Sequence, residues 1–170
     1  MKSQTKSHSI CPGWAWNSDL CNTLPRVLHR HNLKEWKKMK TDFLYGDITG
    51  DVIGSFYKIH RRVNVDGLKE PALTRALAAE LKLSGHKTRR EVPITHRYKA
   101  QAIGSGRIDL LVDGKVAVEI KKLKKLRSKD EAQLRAYMQG GEYAVGLLLN
   151  FSRENAQTRR LDEPQFAPKK

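Results

Sequence analysis

The sequence predicts an α/β fold in which a mixed β-sheet is flanked by helices. Three observations predict it. Residues 47–62 and 71–85 carry apolar side chains at helical spacing. Residues 89–121 read as three strands in succession. A capped helix from Ser128 is followed by the apolar run Tyr143 to Phe151. A meander of three strands, crossed by a helix into a further strand, gives a sheet with both antiparallel and parallel neighbours.

Composition bounds the partners. A chain of 170 residues with 39% apolar content suits one domain with a moderate core. It has no apolar run of about 18 residues, so no membrane partner is expected. The 33 basic and 18 acidic residues give a net charge of +15, which suits a polyanion, most commonly nucleic acid. Cys11 and Cys21 make no disulfide framework and no secretory signal is visible, so the expected setting is intracellular, cytoplasmic or nucleoid-associated. Residues 1–40 read as a flexible basic extension, Ser-rich at the start and broken by Pro12, Gly13 and Pro25. Cys11, Cys21, His29 and His31 lack the CxxC and HxxxH spacings of a zinc site, so none is expected.

The first helix is expected from Asp47 to about Arg62, with Ile48, Val52, Phe56 and Ile59 on one stripe and His60, Arg61 and Arg62 at the C-terminus, where cations are favoured. The second starts at Pro71, runs through Leu73, Leu77 and Leu81, and stops at Ser84-Gly85. Glu70 is placed at its N-cap. Locally it is a carboxylate set against the helix dipole, and that reading outweighs a metal ligand. Strands are expected over Arg89–Tyr98, Gln101–Val112 and Lys115–Lys121. A Ser128/Glu131 capping box opens the third helix and Gly140-Gly141 closes it. Tyr143–Phe151 is expected to be buried on both faces. Ser152–Lys170 is polar and is expected to cover an edge or fray.

The stretch Gly106 to Lys122 places acids inside an apolar hairpin, which demands a reason. Pairing Val112 with Val116 sets Leu111 against Ala117, Leu110 against Val118, and Asp109 against Glu119. Lys121, two residues on, then shares the face of the two carboxylates. Ile108, Leu110, Val112, Val116, Val118 and Ile120 fall on the other face. A two-residue Asp113-Gly114 loop would separate Asp109 from Glu119, so a three-residue loop or a bulge is predicted. Two opposed carboxylates repel unless a cation lies between them. Hard divalent ions such as Mg²⁺ or Mn²⁺ take such oxygens. The competing reading of Asp109, Glu119 and Lys121 is a solvated strand face of mixed charge.

Asp109 followed by Glu119-Ile120-Lys121 resembles the PD-(D/E)XK nuclease signature. More closely, the chain resembles the GxxExxY subgroup of that superfamily. Gly67-Leu68-Lys69-Glu70 is similar to its GxxE, with Leu73 where the tyrosine would stand. Ser105–Val112, Val118–Lys121, Glu131–Leu134 and Gly146–Phe151 are similar to its later motifs, so the resemblance spans about Thr41 to Asn155. It implies a restriction-endonuclease-like core over residues 41–155, followed by a C-terminal tail over 156–170. It implies Asp109 and Glu119 as metal ligands, the Ile120 carbonyl as a third, Glu70 as an accessory carboxylate and Lys121 as the catalytic lysine. Gln133 and Tyr137 look like the QxxxY element of RecB-like and Cas4-like nucleases, and at i and i+4 they share a helix face that reaches the site or the DNA. The iron–sulfur cluster of Cas4-like nucleases needs four cysteines; this chain has two.

The leading expectation is a Mg²⁺- or Mn²⁺-dependent nuclease acting on DNA. Lys122, Lys124, Lys125 and Arg127 would hold the backbone, and a homodimer would serve cutting of both strands. The alternative is a catalytically inactive nucleic-acid-binding module on the same fold.

Overall fold

The structure, a computed structural model, describes residues 43–169. The expected N-terminal extension and the cysteine–histidine spacing at positions 11–31 lie outside the described residues. Helix α1 (Gly46–Arg62) buries Ile48, Val52, Phe56 and Ile59 and ends with His60, Arg61 and Arg62. Helix α2 (Glu70–Leu83) buries Leu73, Leu77 and Leu81, and Ser84 caps its end. Its N-cap is Lys69, in extended geometry, which makes Glu70 the first helical residue. The expected N-cap was one position late, because Pro71 tolerates the second helical position as well as the first.

Strands β1 (Thr88–Tyr98), β2 (Gln101–Val112), β3 (Val116–Lys121), β4 (Val145–Asn150) and β5 (Gln157–Asp162) form one sheet in the order β1-β2-β3-β4-β5. The β1-β2-β3 meander is antiparallel, β3 and β4 are parallel, and β5 returns antiparallel to β4. Helix α3 (Ser128–Gly141) makes the crossover from β3 to β4. Its start corrects the expected capping box. Arg127 is the N-cap, and Asp130 accepts its backbone N–H at 2.9 Å, so the reciprocal pair sits one residue before Ser128 and Glu131.

Of the two outcomes expected for the C-terminal residues, covering an edge or fraying, residues 157–162 take the first as strand β5. Its sequence, QTRRLD, has no apolar alternation, yet it pairs from Val145↔Asp162 to Asn150↔Gln157. The fourth strand, VGLLLN, is buried at every position.

The sheet separates two apolar layers. On one side α1 and α2 pack on Leu110, Val112, Val116, Val118, Ile120, Leu147 and Leu149. Phe56 of α1 meets Phe151 edge-on at 4.5 Å. On the other side Leu134 and Met138 of α3 pack on Ile94, Ile108, Ala117 and Leu148. Ile108 is therefore on the α3 side, not with Leu110 as strict alternation requires. The alternation breaks at Asp109. The opposing strand breaks with it: Arg90 pairs with Leu110 and Val92 with Ile108, and Glu91 between them has φ 54°. A non-glycine residue at positive φ in a strand is a local kink.

The hairpin register is the expected one from the loop as far as Leu110↔Val118, but the expected Asp109↔Glu119 pair does not form, because the strand kinks at Asp109 and its carboxylate takes the Ile120 N–H instead. Leu110↔Val118, Leu111↔Ala117 and Val112↔Val116 pair, and Asp113, Gly114 and Lys115 form a three-residue loop. Asp113 and Gly114 both have positive φ (52° and 69°), and Lys115 N–H donates to the Val112 carbonyl at 2.9 Å.

Candidate active site and nucleic-acid interface

The paired ladder of β2 and β3 ends at Leu110–Val118. Just beyond it, Asp109 turns its carboxylate along β3 and accepts the Ile120 N–H on Oδ2 at 2.8 Å. This bond fixes the carboxylate and leaves Oδ1 for another partner. Glu119 lies on the α3 side of β3 and is 3% exposed. Its Oε1 accepts from Lys121 Nζ at 2.7 Å, and its Oε2 is buried with no partner. A buried carboxylate oxygen without a donor is costly unless something else occupies that position.

Lys121 Nζ also donates to Gln133 Oε1 at 2.9 Å, and Gln133 Nε2 donates to the Tyr137 hydroxyl at 2.8 Å. The i, i+4 pair on α3 thus holds the lysine from the helix side. Tyr137 packs over Gly106, where an added Cβ would lie 2.2 Å from the ring. His96 of β1 stacks on Tyr137 with centroids 6.0 Å apart and planes 18° from parallel.

Glu70 reaches the same end of β3 from α2. Its Oε1 accepts the Lys122 N–H at 2.8 Å, and its charge acts on Asp109, Glu119 and Lys121. Asn150, fully buried, accepts the Leu123 N–H and donates to the Leu123 carbonyl, each at 2.8 Å, pinning the chain just after β3.

The electrostatics follow from crowding three carboxylates around one lysine. Burial, and then the Asp109 charge, pushes the Glu119 carboxyl up to about 7 from an ordinary 4.5. The Lys121 bond pulls the other way, and burial wins. Burial also raises Asp109, against the opposing Ile120 N–H and the Lys121 charge. Lys121 behaves in reverse. Burial disfavours its charge, but the Glu119 bond and the surrounding carboxylates outweigh that and raise its pKa. Lys121 is therefore an ammonium, a donor and a positive charge rather than a base.

These residues suit a divalent cation. Asp109 Oδ1 and the unpartnered Glu119 Oε2 are hard oxygen donors that repel each other without one. They do not form a closed cage: among the described residues no group of three or more His, Cys, Asp or Glu side chains converges on one point. Water and phosphate would complete the shell, as is usual for Mg²⁺.

The structure brings together Asp109, Glu119, Ile120, Lys121, Gln133, Tyr137 and Glu70. It does not free Lys122 for a ligand. The Lys122 ammonium donates to the carbonyls of Asp66 at 2.7 Å and Leu68 at 2.9 Å, so it ties the α1–α2 connection to β3. A structural tie thus stands beside the nucleic-acid role expected of Lys122. Lys124 and Lys125 are exposed; Arg127 is exposed and pairs with Asp130 at 3.3 Å. Three contributors were missed in the sequence: His96, Gly106 and Asn150. Only Asn150 carried a signal, as a polar residue at the end of an otherwise apolar strand.

A family model, that of the PD-(D/E)XK nuclease superfamily, matches residues 46–161. The chain belongs to the PD-(D/E)XK nuclease superfamily. The match spans α1 through most of β5, so it takes in every carboxylate just described and the strand that the sequence left as tail. No curated protein matches the sequence. A solved structure, the crystal structure of SSO0001, is similar over 62% of this chain and 63% of its own, at 20% identity and a TM-score of 0.41. No helix among the described residues is long and apolar enough to cross a membrane.

Proposed function

We propose that this chain is a metal-dependent nuclease of the GxxExxY type that hydrolyses phosphodiester bonds of DNA at Asp109, Glu119 and Lys121. One observation carries the reading: the Lys121 ammonium is held at 2.7 Å from Glu119 and 2.9 Å from Gln133, beside a buried Glu119 oxygen with no partner. Asp109 and Glu119, with the Ile120 carbonyl, would hold Mg²⁺ or Mn²⁺. When bound, such an ion lowers the pKa of water and neutralises charge on the scissile phosphate. Asp109 is kept in place by the Ile120 N–H. Lys121 presents its charge where negative charge develops on the phosphate oxygens. Gln133 and Tyr137, the QxxxY element, orient Lys121. Glu70 anchors the end of β3 through Lys122 N–H and adds negative charge to the site as an accessory carboxylate. Lys124, Lys125 and Arg127 bind the DNA backbone beyond β3. A homodimer would set two such sites for the two strands of a duplex.

The test is cleavage of linear, circular, single- and double-stranded substrates with Mg²⁺, Mn²⁺ or EDTA. The parent should cut only with metal. Asp109→Ala and Lys121→Ala should each lose on the order of a hundredfold or more in rate, the scale of removing a preorganised electrostatic group. Absence of metal-dependent cutting on every substrate would sink the enzyme and leave the inactive binding module. Cutting that persists in Asp109→Ala would remove the site.

A further inference from the structure

A cleft of about 910 Å³ opens between the β1–β2 hairpin and the C-terminal end of α3. We infer that this cleft is a subsite for a single, unpaired strand of nucleic acid that continues from the catalytic carboxylates, an inference that rests on the nuclease reading. Its walls mix two chemistries. Arg89, His96 and Arg97 line it on the hairpin side, while Ile103 and Tyr143 offer apolar and aromatic surface above the buried Ile94. Its one acid is Glu142. Ile103 is 66% exposed, so its side chain is open to a ligand in the cleft. Cations beside flat apolar faces are what a single strand needs, since its phosphates and its unstacked bases both seek contacts. A duplex keeps its bases stacked inside and would present only phosphates to those apolar walls.

The cleft is placed on the substrate's path. It lies on the α3 side of the sheet, with Glu119 and Lys121. Gln133, which holds Lys121, and Gly140, which lines the cleft, are seven residues apart on α3. At 1.5 Å per residue that is roughly 10 Å, a distance a few nucleotides span. Tyr137 lies between them on α3 and stacks on His96, which lines the cleft. The cleft floor is closed to larger residues: a Cβ at Gly140 would lie 2.4 Å from Ile94, and one at Gly141 2.2 Å from Tyr143.

Binding measured in EDTA separates this from cutting. Fluorescence anisotropy compares a labelled 12-nucleotide strand with its blunt duplex for the full chain, for Arg89→Glu/Arg97→Glu in the cleft, and for Arg61→Glu/Arg62→Glu, a charge-matched change on α1. All four arginines are exposed, so folding is expected to survive, and thermal melts check it. The cleft variant should lose about tenfold in single-strand affinity beyond the α1 control, with duplex affinity falling no further than in that control. A strand carrying 5-iodouracil should crosslink to peptides holding His96 or Tyr143. Equal losses for both variants, or for both nucleic-acid forms, overturn the subsite, as does crosslinking confined to other peptides. The two readings fail separately. Metal-dependent cutting by a parent whose cleft variant binds normally removes the subsite and keeps the nuclease. A cleft-specific binding loss in a parent that cuts nothing keeps the subsite and removes the nuclease.

Discussion

Gly106 shows how a residue with no functional group controls one that has. Its missing side chain makes room for Tyr137, whose hydroxyl accepts from Gln133, whose amide oxygen holds Lys121. In Gly106→Ala the new Cβ would fall 2.2 Å from the tyrosine ring, so the ring must move and carry Gln133 with it. The ring is a half-buried side chain, and the expected stability cost is about 1–3 kcal/mol. The expected loss in kcat is ten- to a hundredfold, the scale of misplacing a catalytic group by about 1 Å. Thermal melting beside single-turnover kinetics checks it, and an equal fall in both would deny the positioning role. Of this relay, Gln133 and Tyr137 were singled out by their resemblance to a QxxxY element; their i, i+4 spacing alone reads more readily as packing. The sequence could not disclose Gly106, since a strand glycine has many causes, nor His96, whose partner is 41 positions away. Asp109, Glu119 and Lys121 were legible because polar residues at fixed positions stand out in an aliphatic hairpin.

At the level of elements, legibility followed the strength of the apolar period. Helix α1 and the β2–β3 register were readable because each buries one continuous face. β5 was not, because a short, charged edge strand is stabilised by what its side chains touch across the fold. Arg160 donates to the Leu44 carbonyl at 2.8 Å and the Thr49 hydroxyl at 3.2 Å, partners more than 110 positions away. The face of Ile108 was misread because pleat alternation assumes an unbroken strand, and nothing in a glutamate signals that Glu91 adopts positive φ. The third helix ends in a similar strain. Glu142 sits in left-handed geometry, φ 56°, while Tyr143 N–H donates to the Met138 carbonyl at 2.9 Å. Glycine suits that position better than any residue with a Cβ. Glu142→Gly is therefore expected to stabilise the protein by about 0.5–1 kcal/mol, a gain of a few degrees in Tm. A lowered Tm would mean that the Glu142 side chain supplies more than the backbone costs.

A second tie between elements is titratable. His86, between α2 and β1, bonds Asp113 of the hairpin loop through Nδ1 at 2.7 Å and Asp51 of α1 through Nε2 at 3.2 Å. Burial lowers the His86 pKa, but the bonds and charges of Asp113 and Asp51 overcome it and raise the value above 6.5. For Asp113, burial is outweighed by the His86 bond and the Lys87 N–H, which hold it below 3.8. The histidine contribution is complete below its unfolded value, 6.5, and fades as pH rises through the higher folded value. The aspartate contribution is complete above 3.8 and fades as pH falls through the lower folded value. His86→Ala should thus cost most between about pH 3.8 and 6.5, roughly 1 kcal/mol, with a smaller cost at pH 9. Denaturant midpoints for the two proteins across that range check the sign, and a cost that grows with alkaline pH would refute it.

For the molecule as a whole, the useful quantity is how much of its +15 charge meets the substrate. Binding to a polyanion releases counterions, so log affinity falls against log salt with a slope of about −0.9 per phosphate neutralised in duplex DNA. Lysines that look alike in sequence differ here. Lys124 and Lys125 are exposed just after β3 and make no ion pair among the described residues. Arg127 shares its charge with Asp130 at 3.3 Å. Lys122 spends its ammonium on the Asp66 and Leu68 carbonyls. Lys124→Ala/Lys125→Ala should therefore flatten the salt slope by about 2, and adding Arg127→Ala should change it by less than a further full unit. Lys122→Ala should leave the slope nearly unchanged while lowering stability by roughly 1–3 kcal/mol, since it removes two charged hydrogen bonds from the α1–α2 connection. Titrations of one duplex at several salt concentrations, run beside thermal melts, separate these outcomes. If Lys122→Ala alters the slope as much as the Lys124/Lys125 pair does, its ammonium must leave those carbonyls for the phosphate backbone, and the connection it ties must open when nucleic acid binds.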